Sequence, residues 1–430
     1  MKKLGLIFIF GMIAGPLEAS HLQDINASNI SLGILPNARL DPSSVTLQGN
    51  SISLSALQAQ VDTVQGAARA RYSSIIVGTV TLYSADIDGT DTETLNQALG
   101  LIGARGATSA STITPHVIFM QEGVYTITGA TIPKNVHLYA APGSSTIWAM
   151  TNSVANMVTI YGTLDGITFD LGNRSPTSKV VNLSTGAQLL NCKFINSTIS
   201  NGGTGGGTGS ALVAIVRSSG SIVKNLIIEN MGNVNDYTNS APIMIYNSVD
   251  TILDNITVST MQTDGSSNGS FITTLYSTRT WIQNSDFRSV GAYFINVNSG
   301  SRDTMIINNK FLCDDVTTGG VIFLQNNVTP ANVISTMTYI AGNVFHYATA
   351  ANNPIINLSN NTMFGVHIKG NVARKESAIA GTATFINIGG GGVNKTVIQD
   401  NWVEGMTFIS DGGTSTQFAS FGNFVNGVEQ

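Results

Sequence analysis

The sequence predicts an all-β fold, a right-handed parallel β-helix solenoid of about ten to twelve coils with an N-terminal capping helix. Two observations predict this fold. A short pattern recurs roughly every 28 residues, and a stretch that is apolar at alternate positions precedes each copy of it. Three short strands per repeat then stack as parallel sheets. Leucine-rich solenoids would need a helical leg in each repeat, and the repeats contain no 3.6-residue pattern.

Each copy of the repeat is anchored by an apolar residue, here named position 0. Position 0 is occupied by Phe169, Phe194, Ile228, Val258, Phe287, Phe311, Phe345, Ala373, Val403 and Val425. Position −5 is occupied by Leu164, Leu189, Val223, Leu253, Ile282, Ile306, Ile340, Ile368, Ile398 and, breaking the pattern, Ser420. Position −3 is occupied by Gly166, Asn191, Asn225, Asn255, Asn284, Asn308, Gly342, Gly370, Asp400 and Gly422. Because Gly, Asn and Asp tolerate the left-handed backbone region, we expect two short strands to flank a tight bend in every copy.

Position −2 shows a column of one residue type in the C-terminal half. Successive repeats carry Asn309, Asn343, Asn371, Asn401 and Asn423 there. Adjacent coils lie about 4.8 Å apart, so these side-chain amides are predicted to hydrogen-bond as a ladder.

Composition and charge narrow the classes of function. The chain has 430 residues, of which 42% are hydrophobic and 10% charged, with a net charge of −5. Without a basic surface the sequence gives no indication of nucleic-acid binding. We expect four parts: a signal peptide at 1–19, an extended segment with a short helix at 20–71, an N-terminal cap at 72–133 and the β-helix at 134–430. After removal of the signal no span of the membrane is expected, which predicts a secreted or extracellular surface location.

The segment at 20–71 carries a helical seam. Leu54, Leu57, Val61, Val64 and Ala68 follow one another at spacings of three and four residues, which predicts a short coiled coil and a homotrimer as one assembly of the chain. The alternative is a single helix packed on the neighbouring domain. Residues 35–50 resemble segments that are common in phage tail fibres and bacterial surface proteins.

The start of the β-helix carries the most specific motifs. Residues 88–99 form a predicted helix with a capping box of Thr90 and Glu93, followed by the segments 119–125 and 132–138. This order resembles the opening of the pectate-lyase-like superfamily, which is built on the right-handed β-helix and includes polysaccharide lyases, polygalacturonase-type hydrolases, phage tailspikes and adhesins. The resemblance implies a substrate groove along the outer face of the first strand of each coil.

Alternation along the first strands predicts which side chains face that groove. Among them are Thr274 and the proposed glycan-binding residues Tyr161, Tyr246, Tyr276, Asn296, Asn298 and Gln325. None of these residues is charged. Tyrosine rings stack on sugar faces and amides bond hydroxyl groups, so the pattern favours a rigid surface that binds a polysaccharide or cell-surface glycan without cleaving it. The alternative is a polar surface without a ligand.

Catalysis would need carboxylates, and the paired acids of polygalacturonases and the clustered aspartates of pectate lyases are missing as sets. The remaining candidates lie in or next to loops that could lean over the groove and are Asp170, Glu229, Asp236, Asp264, Asp314 and Asp315. Of these, Asp264, Asp314 and Asp315 are also predicted to contact the substrate. They define a rival hypothesis of a polysaccharide lyase or glycoside hydrolase. A third hypothesis is the structural spine of a cell-surface or virion appendage. The histidine spacing indicates no metal site, and no cofactor is expected.

The two cysteines do not fit a disulfide. Cys192 lies two residues before Phe194 and Cys313 two residues after Phe311, so both thiols are predicted to point into the core. They lie four coils apart, or about 19 Å at roughly 4.8 Å per coil, whereas a disulfide needs Cα atoms within about 7 Å. We therefore predict two buried free thiols.

Overall fold

A computed structural model of the protein describes residues 44–47, 50–53, 74–78, 80–83, 90–104, 115–140, 146–150, 156–174, 176, 178–199, 210–229, 231–234, 241–259, 261–263, 270–288, 293–313, 320–325, 335–348, 353–359, 363–377, 381–389, 393–412 and 417–430. The chain divides into two compact units, residues 1–70 and 71–430. In the first unit, strands β1 (Ser44–Leu47) and β2 (Asn50–Ser53) pair antiparallel. The predicted signal peptide and the helical seam lie outside the described residues.

The second unit opens with a hairpin and a helix. Strands β3 (Ser74–Val77) and β4 (Val80–Tyr83) pair antiparallel, and helix α1 follows at Asp91–Leu101. The Thr90 hydroxyl accepts a hydrogen bond from the Glu93 backbone N–H, which is the cap that the sequence predicts. Leu95 and Leu99 of α1 are buried in the core of the solenoid. The helix therefore caps the solenoid core at its N-terminal end.

The first strand of each coil belongs to an 11-stranded parallel sheet, which we name sheet 1. Its strands are β7 (Ala130–Ile132), β10 (Asn156–Ile160), β13 (Lys179–Leu183), β16 (Ala211–Val216), β19 (Ile243–Tyr246), β22 (Ser270–Leu275), β25 (Tyr293–Asn298), β28 (Ile322–Gln325), β32 (Pro354–Ser359), β36 (Thr384–Ile388) and β39 (Thr407–Asp411). Eleven stacked strands agree with the predicted ten to twelve coils.

The second strand of each coil carries position −5 and forms sheet 2, which is also parallel within the solenoid. Its strands are β5 (His116–Met120), β8 (Val136–Tyr139), β11 (Thr163–Asp165), β14 (Gln188–Leu190), β17 (Ile222–Ile228), β20 (Val249–Val258), β23 (Thr278–Gln283), β26 (Arg302–Ile307), β30 (Tyr339–Ala341), β34 (His367–Lys369), β37 (Val393–Gln399) and β40 (Gln417–Phe421). Strand β3 borders β5 antiparallel. Parallel pairing begins between β5 and β8.

The third strand of each coil carries position 0 and forms sheet 3. Its strands are β6 (Gly123–Tyr125), β9 (Thr146–Ala149), β12 (Thr168–Arg174), β15 (Lys193–Ile199), the ends of β17 and β20, β24 (Asp286–Arg288), β27 (Lys310–Cys313), β31 (Val344–Tyr347), β35 (Val372–Lys375), β38 (Trp402–Glu404) and β41 (Phe424–Val425). Four short strands extend individual coils: β18 (Met231–Val234), β21 (Met261–Thr263), β29 (Ser335–Thr336) and β33 (Met363–Phe364). The last strand, β42 (Val428–Glu429), pairs antiparallel with β41.

The core follows the predicted columns. Position 0 is fully buried from Phe169 to Val403, and position −5 is fully buried from Leu164 to Ile398. The Phe311 ring stacks between its neighbours in the column, with centroids 5.2 Å from Phe287 and 5.0 Å from Phe345. The last coil departs from the pattern, because Val425 is half-buried and Ser420 is exposed.

Position −3 is the bend between sheets 2 and 3. All ten residues there have positive φ, from 51° to 80°, as predicted. In two coils the strands β17 and β20 continue through the bend instead of ending before it, although Asn225 and Asn255 retain positive φ. The left-handed residue therefore turns the chain without always interrupting the strand pairing.

The predicted ladder of position −2 is present and buried. Each Nδ2 donates to the Oδ1 of the next asparagine, over 3.1 Å from Asn309 to Asn343, 3.0 Å from Asn343 to Asn371, 2.9 Å from Asn371 to Asn401 and 2.9 Å from Asn401 to Asn423. In the preceding coil Ser285 occupies this position, and its backbone N–H donates to Asn309 Oδ1 over 3.0 Å. The column thus joins five coils through side-chain amides in the core.

A second ladder runs along the surface at position −3 and ends at Asp165, which is at position −4 of its coil. Asn191 donates to Asp165 over 2.7 Å, Asn225 to Asn191 over 2.7 Å and Asn255 to Asn225 over 2.8 Å. Here each amide donates toward the N-terminal end, which is opposite to the direction of the inner ladder.

Candidate functional site

The outer face of sheet 1 carries one column of outward residues through its centre. In register these are Thr131, Thr159, Asn182, Ala214, Met244, Thr273, Asn296, Phe323, Asn357, Asn387 and Ser410. The residues on either side of this column point into the core, for example Ile322 and Leu324 beside Phe323. Amides and an aromatic ring therefore share one face at successive coils from Asn296 to Asn387.

We name Tyr293, Phe323, Asn357 and Asn387 the aromatic–amide cluster. The rings of Tyr293 and Phe323 are stacked, with centroids 4.5 Å apart and planes inclined by 10°. Asn387 Nδ2 donates to Asn357 Oδ1 over 3.0 Å. All four side chains are half-buried. The cluster thus presents a flat apolar surface beside two ordered amides, each of which retains further hydrogen-bonding capacity.

The Tyr293 hydroxyl links the two halves of the cluster. Burial raises the pKa of Tyr293, while a side-chain hydrogen bond with Asn357 lowers it by a smaller amount. The hydroxyl therefore stays protonated at neutral pH and can donate a hydrogen bond. With both rings and both amides held on adjacent strands, a ligand would lose little side-chain entropy on binding.

The predicted tyrosines lie at the end of sheet 1 strands and in the turns that follow. Tyr246 ends β19 and is half-buried, whereas Tyr276 follows β22 at φ 51° and is 44% exposed. Their rings meet edge to face, with centroids 5.8 Å apart. Tyr161 lies in the turn after β10, where its backbone N–H donates to the Ile132 carbonyl over 2.8 Å. The structure therefore brings Tyr246 and Tyr276 together as one aromatic pair.

The predicted amides are less accessible than the alternation implies. Asn296, Asn298 and Gln325 lie on the outward side of their strands but are 5%, 4% and 9% exposed. Gln325 Nε2 is 3.5 Å from Asn296 Oδ1, and Ser299 Oγ donates to Asn298 Oδ1 over 2.7 Å. They form a mostly buried polar layer, so Asn357 and Asn387 offer the more accessible amides.

One predicted orientation is wrong, and its cause also explains why alternation does not single out Tyr293. Thr274 points into the core and is fully buried, while Thr273 faces outward. In β22 two consecutive side chains, Phe271 and Ile272, both point into the core, and the same occurs in β25 at Phe294 and Ile295. In β25 both residues donate their backbone N–H to the Val321 carbonyl, which makes a bulge. When alternation is counted across two consecutive inward residues, the side chains beyond them are assigned to the wrong face of the strand. Phe323 needs no bulge to be placed, because it alternates regularly between Ile322 and Leu324.

Several carboxylates in the described parts of sheets 2 and 3 already have a charged or polar partner. Lys193 Nζ lies 2.7 Å from Glu229 Oε2, and Asp170 Oδ1 accepts from Asn196 over 3.1 Å. Asp264, Asp314 and Asp315 lie outside the described residues. Within the described ranges there is no group of three or more His, Cys, Asp and Glu that could hold a metal ion.

Among the described residues of sheet 1, charge on the outer face is confined to the N-terminal part and to the last strand. Lys179 of β13 is half-buried, and burial together with the positive charge of Arg217 lowers its pKa. From β22 to β36, every described outward residue is uncharged, and the aromatic–amide cluster lies within this region. Across the described residues, no helix is long and apolar enough to cross a membrane.

Comparisons with known proteins agree with this architecture. No protein-family model and no curated protein matches the sequence. Among solved structures, the tailspike protein of E. coli bacteriophage HK620 in complex with a pentasaccharide has a TM-score of 0.55 at 12% identity, covering 97% of this chain and 73% of that chain. A single-site variant of that tailspike, also with a pentasaccharide, has a TM-score of 0.56 at 13% identity, covering 79% of this chain and 64% of that chain. At such low identity the likeness shows the fold alone, and that fold is the right-handed parallel β-helix.

Proposed function

We propose that the protein binds a glycan along the outer face of sheet 1 without cleaving it. The observation that carries this proposal is the stacked pair of Tyr293 and Phe323 beside the amide pair of Asn357 and Asn387. Sugar rings pack their C–H faces on aromatic rings, while amides both donate to and accept from sugar hydroxyl groups. The pentasaccharide complexes of the structurally similar tailspike support this proposal.

The binding surface extends beyond the cluster. The pair of half-buried Tyr246 and exposed Tyr276 offers a second aromatic contact, with Tyr161 further toward the N-terminus. Asn296, Asn298 and Gln325 lie between the two aromatic areas and position their neighbours more than they contact ligand. Because adjacent coils are about 4.8 Å apart, an elongated saccharide that contacts both areas would span several coils.

Two other functions stay open. A polysaccharide lyase or glycoside hydrolase would use Asp264, Asp314 and Asp315. A substrate on the outer face of sheet 1 would then have to reach these loop residues. A purely structural spine of a surface or virion appendage would need no ligand. The aromatic–amide cluster favours binding over the spine, because stacked rings beside paired amides are the contacts that a sugar uses.

Export and self-association belong to the same proposal. Residues 1–19 have the composition of a secretory signal, so we propose a secreted or extracellular surface location, as for an adhesin or a tailspike-like protein. The seam between Leu54 and Ala68 supports association of the chain, with a homotrimer as the proposed assembly. The N-terminal mass of protein recovered from the medium of expressing cells would test the export.

A polysaccharide panel tests the proposed function. Purified protein is screened for binding and for release of reducing or unsaturated ends. We expect binding without release, and we expect the double variant Tyr293→Ala with Phe323→Ala to weaken binding by about tenfold or more. Trp402→Ala is the matched control, because this ring is 49% exposed but lies on sheet 3. Equal losses in both variants, or no binding to any glycan, would contradict the proposal.

A second pair of variants separates binding from catalysis. Tyr246→Ala with Tyr276→Ala should weaken binding, whereas Asp314→Asn with Asp315→Asn should leave it nearly unchanged. If the protein cleaves a polysaccharide and the double aspartate variant abolishes that cleavage, the enzyme hypothesis is correct instead.

A further inference from the structure

An apolar column on the outside of sheet 2 is separate from the proposed glycan surface. In register at position −6 stand Ile252, Trp281, Met305, Tyr339, His367 and Val397, which we name the apolar stripe. Each side chain is half-buried, and the residues on both sides of it in the strand point into the core. The stripe follows six consecutive coils, a length of about 24 Å at roughly 4.8 Å per coil.

The stripe differs in charge from every other outward column of sheets 2 and 3 over the same coils. Position −4 carries Asp254 and Lys369, position −1 carries Asp286 and Lys310, and position +1 carries Arg288, Arg374 and Glu404. The stripe carries no Asp, Glu, Lys or Arg. Tyr339 and His367 are stacked on each other, with ring centroids 4.7 Å apart.

The borders of the stripe have the composition of an interface rim. On one side Arg279 Nη2 donates to Asp250 Oδ2 over 2.9 Å. On the other side Lys224 Nζ lies 3.3 Å from Asp254 Oδ2, and Lys369 Nζ lies 3.8 Å from Asp400 Oδ2. These charges are paired within the chain. An apolar centre with a polar rim is the usual anatomy of a protein–protein interface.

We infer that the apolar stripe is the surface by which copies of this chain pack side by side. When copies pack around an axis parallel to the solenoid, each residue of a central column faces the same residue of its neighbours. Any charge there would meet its like, which costs several kcal/mol, so such a column must be uncharged. The apolar stripe meets this condition for six coils, and a straight, rigid stripe is best matched by another of the same length.

The predicted coiled coil supports a second copy as the occupant, because a parallel coiled coil would join copies of the chain in the same direction. The inference rests on the proposed self-association but not on glycan binding. Sheet 1 and sheet 2 face different directions around the coil, so both surfaces could be occupied together.

Met305 and Leu312 provide a matched test, because both are half-buried, outward and in the same coil, but Leu312 lies on sheet 3. By sedimentation velocity of the full chain, we expect Met305→Glu to raise the dissociation constant by more than about tenfold and Leu312→Glu to leave it unchanged. If the wild-type chain is a monomer, the inference and the self-association proposal both fail. If the chain associates and the two variants behave alike, only the inference fails.

If Met305→Glu does not fold, cysteine crosslinking provides a second test of whether the apolar stripe is the interface. The native thiols of Cys192 and Cys313 are buried, so a short bis-maleimide should react only with an introduced cysteine. Met305→Cys should give covalently linked copies, and Leu312→Cys should not. Crosslinking at Leu312→Cys with none at Met305→Cys would overturn the inference.

Discussion

At Asn371 a single buried side chain holds three successive coils together. Its Oδ1 accepts from the backbone N–H and the Nδ2 of Asn343, both over 3.0 Å. Its Nδ2 donates to the Ile340 carbonyl over 2.8 Å and to Asn401 Oδ1 over 2.9 Å. A polar group at this depth is stabilising only because each of these partners is present.

We expect Asn371→Leu to lower the free energy of unfolding by about 3–5 kcal/mol. Leucine is close in size, but it leaves the backbone N–H of Asn343 and one hydrogen of its Nδ2 without an acceptor. It also removes the hydrogen bonds that the Asn371 side chain donates to the Ile340 carbonyl and to Asn401 Oδ1, although the backbone N–H of residue 371 still donates to Asn401 Oδ1. Asn255→Gly is the control, since it breaks an exposed ladder bond and retains the left-handed backbone. It should cost less than about 1 kcal/mol. Urea denaturation followed by circular dichroism measures both, and equal effects would mean that the inner ladder adds little.

Both cysteines are free and buried, as their spacing predicts. Burial is the main cause that raises the pKa of Cys192 to about 12, so this thiol stays protonated well above pH 9. Titration with a thiol reagent at pH 8 should find no reactive group in the folded protein and two after denaturation without reductant. Finding none after denaturation would indicate a disulfide or oxidised sulfur, which intact mass would distinguish. Because the folded pKa is raised, stability should fall as pH rises above the ordinary value of 9.0 toward 12.

At the scale of the element, the phenylalanine stack provides the apolar counterpart of the ladder. Phe311 packs face to face between two rings of its column and edge to face against Phe294 of sheet 1, at 5.6 Å between centroids. We expect Phe311→Ala to lower the free energy of unfolding by about 3–5 kcal/mol, because coils held from above and below cannot collapse into the cavity. Phe424→Ala, which removes an exposed ring in the last repeat, is the control. A loss below about 1 kcal/mol for Phe311→Ala would show that the core repacks.

Sheets 2 and 3 were predictable from the sequence because two physical demands coincide in every repeat. The bend at position −3 requires positive φ, which restricts it to Gly, Asn or Asp, and the core fixes the apolar residues on both sides of it. Sheet 1 has no such marker. Its strands start with two inward residues, as at Phe294 and Ile295, so alternation counted from either one gives opposite faces. Tyr293 escapes a sequence-based prediction for this reason, and Thr274 is assigned to the wrong face.

The accessibility of several residues of the candidate site also differs from what the sequence predicts. Alternation places Asn296, Asn298 and Gln325 on the outer side correctly, but it carries no information about burial on that side. Ala211, Ala214 and Met244 form a second apolar cluster apart from the main core and are fully buried on the same side of sheet 1. Accessibility of an outward column therefore varies from coil to coil, which periodicity cannot express.

At the scale of the whole molecule, the proposed assembly depends on the N-terminal unit. We expect deletion of residues 20–71 to convert an associated chain into a monomer or a weaker assembly, because it removes the predicted coiled coil. Sedimentation velocity of the full and shortened chains measures the change, with circular dichroism as the check that the solenoid stays folded. A full-length chain that sediments as a monomer would remove both the coiled coil and the homotrimer from the proposal.

The inner column at position −2 has a consequence for how such a repetitive chain reaches one structure. Many coils are nearly interchangeable at positions 0 and −5, so a chain could skip a coil and still bury apolar residues. Position −2 changes along the chain, from Ile256 through Ser285 to Asn309 and the asparagines beyond it. A slipped stack would set an amide against an aliphatic side chain and leave its hydrogen bonds unmade. The order of residues in this column therefore favours pairing of each coil with its correct neighbour over a slipped arrangement.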